Sequence, residues 1–427
     1  MDPNALRCPH SFYAERRLDP PVYDPLVGAW LVTRDADIRE VLNDTDRFSN
    51  RGATGRIAAR RLKQVLNEAI ASGEATPELM ARLHIGAQRV LLDADPPQHG
   101  RQRALVSRAF TTRAVAELEP SVRSLCNDLL DGLAGVEVDV LRSFCREVPL
   151  QVIAGQLGIG GNDLDLFAKW SDAFTGSLGN DATPSELAGM LRLQVAFFEH
   201  FTHELDRVKA CPRDDVLTKV ATARLADGAT LSLGEQLGMT SQFVVAGNET
   251  TSKAIAAAIR LLGQDPDLER MVRADRALIP AFVEEVIRLE SPTQGMFRIA
   301  KEPVVVGGVD INTNECLFLV YGSANRDETV WAQPEQVNLD RPSGNNHLGF
   351  GRGEHYCLGA SLARLEMRIA LEVFLDRVPK IRLCDRNDYD VEVSWFVHGL
   401  RSLWVDLSAV ESRAATVDLA AAEASPS

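Results

Sequence analysis

FGRGEHYCLGASLARLE, Phe350–Glu366, sets one cysteine, Cys357, among Gly351, Gly353 and Gly359, with His355 just before it. Glycines let a backbone come close to something large. The segment after Gly359, roughly Ala360 to Arg377, reads as a helix. Its N-terminal N–H groups would point back at the sulfur and favour a thiolate. A lone cysteine is most often an inert buried residue. The other reading is a thiolate bound to a metal, and the surrounding glycines favour it.

The rest of the chain bounds what such a site could serve. Its 427 residues are 45% hydrophobic and 25% charged, enough for a sizeable core. The formal net charge of -14 argues against nonspecific nucleic-acid binding. The seven cysteines (Cys8, Cys126, Cys145, Cys211, Cys316, Cys357 and Cys384) are odd in number, scattered, and form no CxxC. That argues against a disulfide framework and a zinc finger, and fits a reducing compartment. MDPNALRCPHSF has no basic segment leading into an apolar run, and no apolar stretch is long enough to cross a membrane. The expectation is a cytoplasmic monomer without a membrane anchor.

Along the chain, residues 1–25 are rich in Pro and Asp and are expected to wrap the surface. GAWLVTR (28–34) reads as a strand and DADIREVLND (35–44) as a short helix. RIAARRLKQVLNEAIA (56–71) reads as a basic amphipathic helix. LLDADPPQHG (91–100) is a turn before a helix that runs to Phe110. From about 114 to 290 the pattern is mostly helical. Strand signals come late, in 302–322 with a hairpin at Gly307–Gly308, and again in 391–405. The expected fold class is mainly α with a smaller β region (α+β). One domain should span 1–408, with a disordered tail at 409–427.

The most informative helix begins at Ser232, which forms a capping box with Glu235, and should stop near Gly263 before Pro266. Its length of about 45 Å would cross a whole domain. FVVAG in its middle is apolar, yet Asn248, Glu249, Thr250 and Thr251 follow at once. Buried polar groups cost a few kcal/mol unless paired. The small Ala246 and Gly247 would let another body lie against the helix there. On residue type alone, Thr250 could equally bond back to a carbonyl and Glu249 face solvent.

FGRGEHYCLG resembles the haem-binding loop of the cytochrome P-450 superfamily, Phe-Gly-x-Gly-x-His-x-Cys-x-Gly, at Phe350, Gly351, Gly353, His355, Cys357 and Gly359. AGNETT (246–251) resembles the family's oxygen-activation motif on its long central helix. Glu285 and Arg288 in EVIR match its Glu-x-x-Arg pair. DPPQHGRQR resembles the bacterial segment carrying His99 and Arg103, and MFRIA supplies Arg298. The motifs keep the family's order across about 28–405. The resemblance implies a cytochrome P-450 fold around haem b, with Cys357 as axial ligand of the iron. His99, Arg103, Arg298 and His355 would meet the propionates, whose burial needs positive partners. Phe350, Gly351, Gly359, Ala246 and Gly247 would bed the cofactor. Glu249 and Thr250 would be the catalytic pair that delivers protons. Glu285 and Arg288 would form a structural network with a later arginine, Arg341.

The implied activity is a haem-thiolate monooxygenase that puts one oxygen atom from O2 into a small molecule. A thiolate ligand pushes electron density through iron and favours O–O cleavage. The chain has no dinucleotide fingerprint, so electrons would come from a separate ferredoxin and its NAD(P)H-dependent reductase. Arg101, Arg103, Arg108 and Arg113 form a local basic stretch where an acidic ferredoxin would dock. A peroxide-driven peroxygenase and a non-catalytic haem sensor are the alternatives, and neither needs Glu249 and Thr250. The implied pocket takes Leu83, Val90, Phe243, Ala246, Thr293, Gly295, Met296, Phe396 and Val397, which suits a largely apolar substrate. Arg82, His84 or Gln88 could hold a polar end. Phe167, Trp170, Phe174, Phe197 and Phe198 read as core. His200 and His203 lack a third metal ligand.

Overall fold

The computed structural model describes residues 7–52, 56–86, 88–178, 183–224, 228–341, 346–392 and 396–410. The expected tail lies outside these residues beyond Val410. Helices dominate and a small β region accompanies them, as the sequence pattern implies. The central helix is Leu233–Gln264, 32 residues long, or about 48 Å. Its start is fixed locally. Ser232 Oγ accepts from Glu235 N at 3.2 Å, while Glu235 accepts from Ser232 N at 2.9 Å.

The helix runs one residue past Gly263, where a stop was expected. Gly263 provides room instead: a Cβ there would lie 2.8 Å from Leu383 Cγ. Asp265 then caps the next helix, Pro266–Ala274, accepting from Asp267 N and Leu268 N at 3.0 Å each.

Two apolar clusters meet along the central helix. Its C-terminal half, Ala254 to Leu262, packs with Phe282, Val286, Ile369 and Phe374, from the helices Ile279–Glu290 and Ala360–Arg377. Its N-terminal part, Leu237 to Val244, packs with Phe167, Trp170, Phe174, Phe197 and Phe198. Those five aromatics are core, as expected. Ala246 is apolar and mid-helix, yet it belongs to neither cluster and is exposed.

The main sheet has the strand order Val22–Asp24, Ala29–Val32, Cys316–Leu319, Met296–Ala300, Phe48–Ser49. Ala29–Val32 and Cys316–Leu319 run parallel; the other neighbours are antiparallel. A separate hairpin pairs Val304–Val306 with Val309–Ile311 through Gly307 and Gly308, whose φ values are +55° and +83°. Two consecutive positive φ angles are what a tight hairpin turn demands.

Two expectations are corrected. The N-terminal segment does not merely wrap the surface: Pro9–Arg17 is a helix that buries Pro9, Tyr13 and Arg17. Tyr13 packs with Phe297 and Phe318 of the sheet, and its hydroxyl donates to Gln294 Oε1 at 3.0 Å. The late strand signal at 391–405 yields only Trp404–Val405, paired with Val138–Asp139. Isolated bridges at Val391–Leu400 and Thr293–Val397 replace the rest, and 393–395 lie outside the described residues. Arg56–Ala71 is the expected helix.

Candidate active site

The cysteine loop is shaped by its glycines. Gly351 and Gly353 have φ of +67° and +71°, a region that side-chain-bearing residues resist. A Cβ on Gly353 would stand 2.7 Å from Leu42 O, on the helix Asp35–Asn43. Within the loop, Cys357 N donates to Phe350 O at 2.9 Å and Tyr356 N to Gly353 O at 3.1 Å. The Arg364 guanidinium lies 4.5 Å from the Phe350 ring centroid. Leu358 joins the apolar cluster that holds Phe243 and Val244 of the central helix.

Cys357 presents open surface, yet protein encloses it. It therefore lines an interior space and not the outer face. Burial pushes its thiol above the ordinary range. The N–H groups of Gly359 and Ala360, with Arg103 and Arg364, pull the other way and lose. Protein contacts alone leave the thiol protonated; a coordinated cation would deprotonate it outright.

Beside the loop stand two imidazoles and two guanidiniums. The rings of His99 and His355 stack with centroids 3.8 Å apart. Burial, then His99, Arg298 and Arg103, depresses His355 to about 2. Burial likewise depresses His99, Arg103 and Arg298. Arg298 donates to Phe297 O at 2.8 Å and is hydrogen-bonded to Tyr321; Arg103 donates to Tyr356 O at 2.6 Å. Asp95 is the one carboxylate among the charges that act on His99 and Arg298. His99 Nδ1 is buried and has no hydrogen-bond partner. Two guanidiniums so poor in acids, flanked by two neutral imidazoles able to donate, suit an anionic ligand. Nothing lies within 4 Å of a Cβ built on Gly359, and the Cβ position of Gly247 is nearly as open. These residues fit a flat, dianionic group such as haem.

On the central helix, Thr250 Oγ1 donates to Ala246 O at 3.0 Å, the ordinary back-bond of a helical threonine. Its oxygen remains able to accept. Glu249 is half-buried and does not project into open solvent. Burial first, then the charge and hydrogen bond of Glu392, push its carboxyl up to about 7 against the pull of Lys253. Lys253 Nζ lies 3.0 Å from Glu392 Oε1 and donates to Leu400 O at 2.8 Å. Asn248 Nδ2 donates to Ser171 Oγ at 3.0 Å.

The expected pocket residues divide. Leu83, Thr293, Met296 and Phe396 are half-buried and Ala246 is exposed. Val90 has no exposed surface and its carbonyl accepts from Gln242 Nε2 at 2.9 Å. Gly295 is packed so tightly that a Cβ would lie 2.4 Å from Leu319 O. Phe243 and Val397 are also buried; Phe243 tilts against Phe110 at 5.5 Å. Val90 and Gly295 therefore back the wall and do not form its surface. Arg82 is held at the surface by Glu199 at 2.6 Å. Among the described residues no group of three or more His, Cys, Asp or Glu could hold a metal ion, His200 and His203 included.

Glu285 and Arg288 form a bidentate pair at 2.7 and 2.9 Å, and Arg341 Nε joins Glu285 at 3.0 Å. The neighbouring Glu284 went unnoticed in the sequence. It holds Arg364 at 2.5 Å and His347 at 3.0 Å. Burial alone would raise its carboxyl, but those hydrogen bonds win and bring it down to about 2. Its place beside Glu285 was a hint; Glu392 offered none.

The family model described as Cytochrome P450 matches residues 190–378. Cytochrome P450 107B1 of Saccharopolyspora erythraea is 33% identical over 400 residues, 92% of this chain and 94% of its own length. Vitamin D(3) 25-hydroxylase of Pseudonocardia autotrophica is 33% identical over 383 residues, 88% and 87% of the two chains. The crystal structure of CYP109E1 from Bacillus megaterium in complex with corticosterone superposes with a TM-score of 0.79 at 28% identity, covering 94% and 98%. With its glycine-set cysteine, its cation group and relatives aligned over nearly their whole length, this chain belongs to the cytochrome P450 family of haem-dependent monooxygenases.

Proposed function

We propose that this monooxygenase oxidises a largely apolar small molecule, by hydroxylation or a related insertion of one oxygen atom from O2. It would use haem b, held by Cys357, with His99, Arg103, Arg298 and His355 as partners of the two propionates. The enclosed sulfur of Cys357, set at the start of a helix by positive-φ glycines, carries this reading. Bound there, a thiolate-ligated haem supplies O–O cleavage.

The chain's own residues supply the rest. Apolar side chains would exclude water and orient the substrate. Glu249 titrates near neutrality, so it can both hold and release a proton at physiological pH. Thr250 Oγ1, which donates to Ala246 O, keeps lone pairs free to accept a hydrogen bond. This half-buried acid beside an alcohol favours O2-driven turnover over a peroxygenase or a haem sensor, neither of which needs this relay. The relatives named for vitamin D(3) and crystallised with corticosterone make fused-ring apolar compounds the first class to screen.

Electrons would come from a separate ferredoxin with its reductase. Arg101 and Arg108 are exposed on the basic stretch, and Arg113 pairs loosely with Glu117 at 3.6 Å. Reduction by an acidic ferredoxin should slow as salt rises.

The test is the absorbance spectrum of the dithionite-reduced protein with and without carbon monoxide. A strongly red-shifted Soret band supports Cys357 as ligand. A band at the ordinary position overturns that assignment, and a preparation that takes up no haem overturns the cofactor reading.

A further inference from the structure

Glu392 lies in the loop that returns under the central helix. Its own N–H donates to Gly399 O at 3.0 Å, and Val391 bridges Leu400. Its carboxyl is hydrogen-bonded to that of Glu249. Lys253, one turn beyond Glu249, holds the other side of the loop through Glu392 Oε1 and Leu400 O. Gly399 leaves room for it, since a Cβ there would be 2.6 Å from Lys253 Cδ. The Lys253 side chain is 6% exposed and that of Glu392 is 35% exposed. The Glu392 carboxylate therefore reaches solvent, while Glu249 is half-buried beside the buried Lys253. The remaining charge felt by Glu249 is Asp172, from the helix Leu164–Leu178, which is itself paired with Arg146.

Two adjoining carboxylates beside one ammonium do not both ionise at low cost. We propose that Glu249 and Glu392 share a proton under the clamp of Lys253, and that Glu392 recharges Glu249 from solvent. Each transfer breaks one O–H bond on Glu392 and forms one on Glu249. Water then reprotonates Glu392, and no electrons move within the pair. Glu392 acts through Glu249 and is a positioning residue. The inference rests on the reading that Glu249 delivers protons in the oxidation.

The test follows the carboxylic C=O band of the holoprotein by infrared difference titration. Glu249→Gln identifies the band. In Glu392→Gln its midpoint should fall by about one pH unit, because a like charge is gone. In Lys253→Met it should rise, and in Glu392→Asp it should return toward the parent value. A merely structural Glu392 would not move it. In parallel, a surrogate ferredoxin and reductase drive O2 consumption without substrate. Glu392→Gln should raise the share of electrons recovered as hydrogen peroxide severalfold. An unmoved midpoint overturns the shared proton. A moved midpoint with an unchanged peroxide share in Glu392→Gln overturns the recharging role. If Glu249→Gln also leaves that share unchanged, proton delivery by Glu249 fails with it.

Discussion

Two buried charge clusters lie in this molecule, and they are built on opposite terms. Around Glu285 every charge is met. Arg288, fully buried, donates to Glu285 and to the carbonyls of Asn325, Pro334 and Gln336. Arg341 completes the carboxylate. Around His355 the charges are not met: burial first, then His99, Arg298 and Arg103, keeps its ring neutral, and Arg103 and Arg298 form no ion pair among the described residues. Burying a charge is tolerable only with a partner. A balanced cluster is therefore part of the fold, whereas an unbalanced one marks the place where a ligand's charge belongs.

The largest effect should come from the residue nearest that imbalance. Cys357→Ser should abolish turnover and the red-shifted carbon monoxide band while leaving far-ultraviolet circular dichroism intact. Loss of the fold itself would break the contrast between ligand site and structure. Glu285→Gln should do the reverse. Removing one member of a buried ion pair costs about 3–5 kcal/mol, so urea unfolding should shift strongly, and the carbon monoxide band of whatever holoprotein survives should stay in place.

Glu284 sharpens the balanced side. Its folded pKa, about 2, lies below that of an unfolded glutamate. Its contribution is fully present above about pH 4.5 and is lost as pH falls toward 2, on the order of 2–3 kcal/mol. Urea midpoints taken from pH 7 down to 3 should fall in the parent. Glu284→Gln should start lower at pH 7 and fall less. Equal pH slopes in the two proteins would show that Arg364 and His347 do not hold this carboxylate.

The sequence showed the local half of this architecture clearly. A capping box lies within four residues, so Ser232 and Glu235 were legible, and the Cys357 glycines announce their own backbone angles. The Glu285–Arg288 pair is likewise one helical turn. What escaped depends on distant chain meeting distant chain. Nothing near Glu392 says that it reaches Glu249, and nothing near Gly263 or Gly295 says that Leu383 or Leu319 crowds it. The Pro9–Arg17 helix was read as surface because its burial comes from the sheet, through Phe297 and Phe318. The order of motifs pointed to the candidate site; the covering of Val90 and Gly295 did not follow from it.

The smallest effect tests the comparison most directly. Arg298 is nearly wholly buried; its guanidinium meets Phe297 O and Tyr321, feels Asp95 only at a distance, and forms no ion pair among the described residues. Arg298→Leu deletes a desolvated cation and gives up a carbonyl hydrogen bond worth about 1 kcal/mol. These terms oppose one another, so unfolding of the haem-free protein should shift by no more than about 1 kcal/mol. Transfer of haem to an acceptor apoprotein should nevertheless quicken about tenfold, since a propionate loses its partner. A loss of several kcal/mol in the haem-free protein would mean that Arg298 is held as Arg288 is, and the division between the two clusters would fall. Unchanged haem transfer would place the propionates elsewhere and leave the cations around His355 without the role assigned to them.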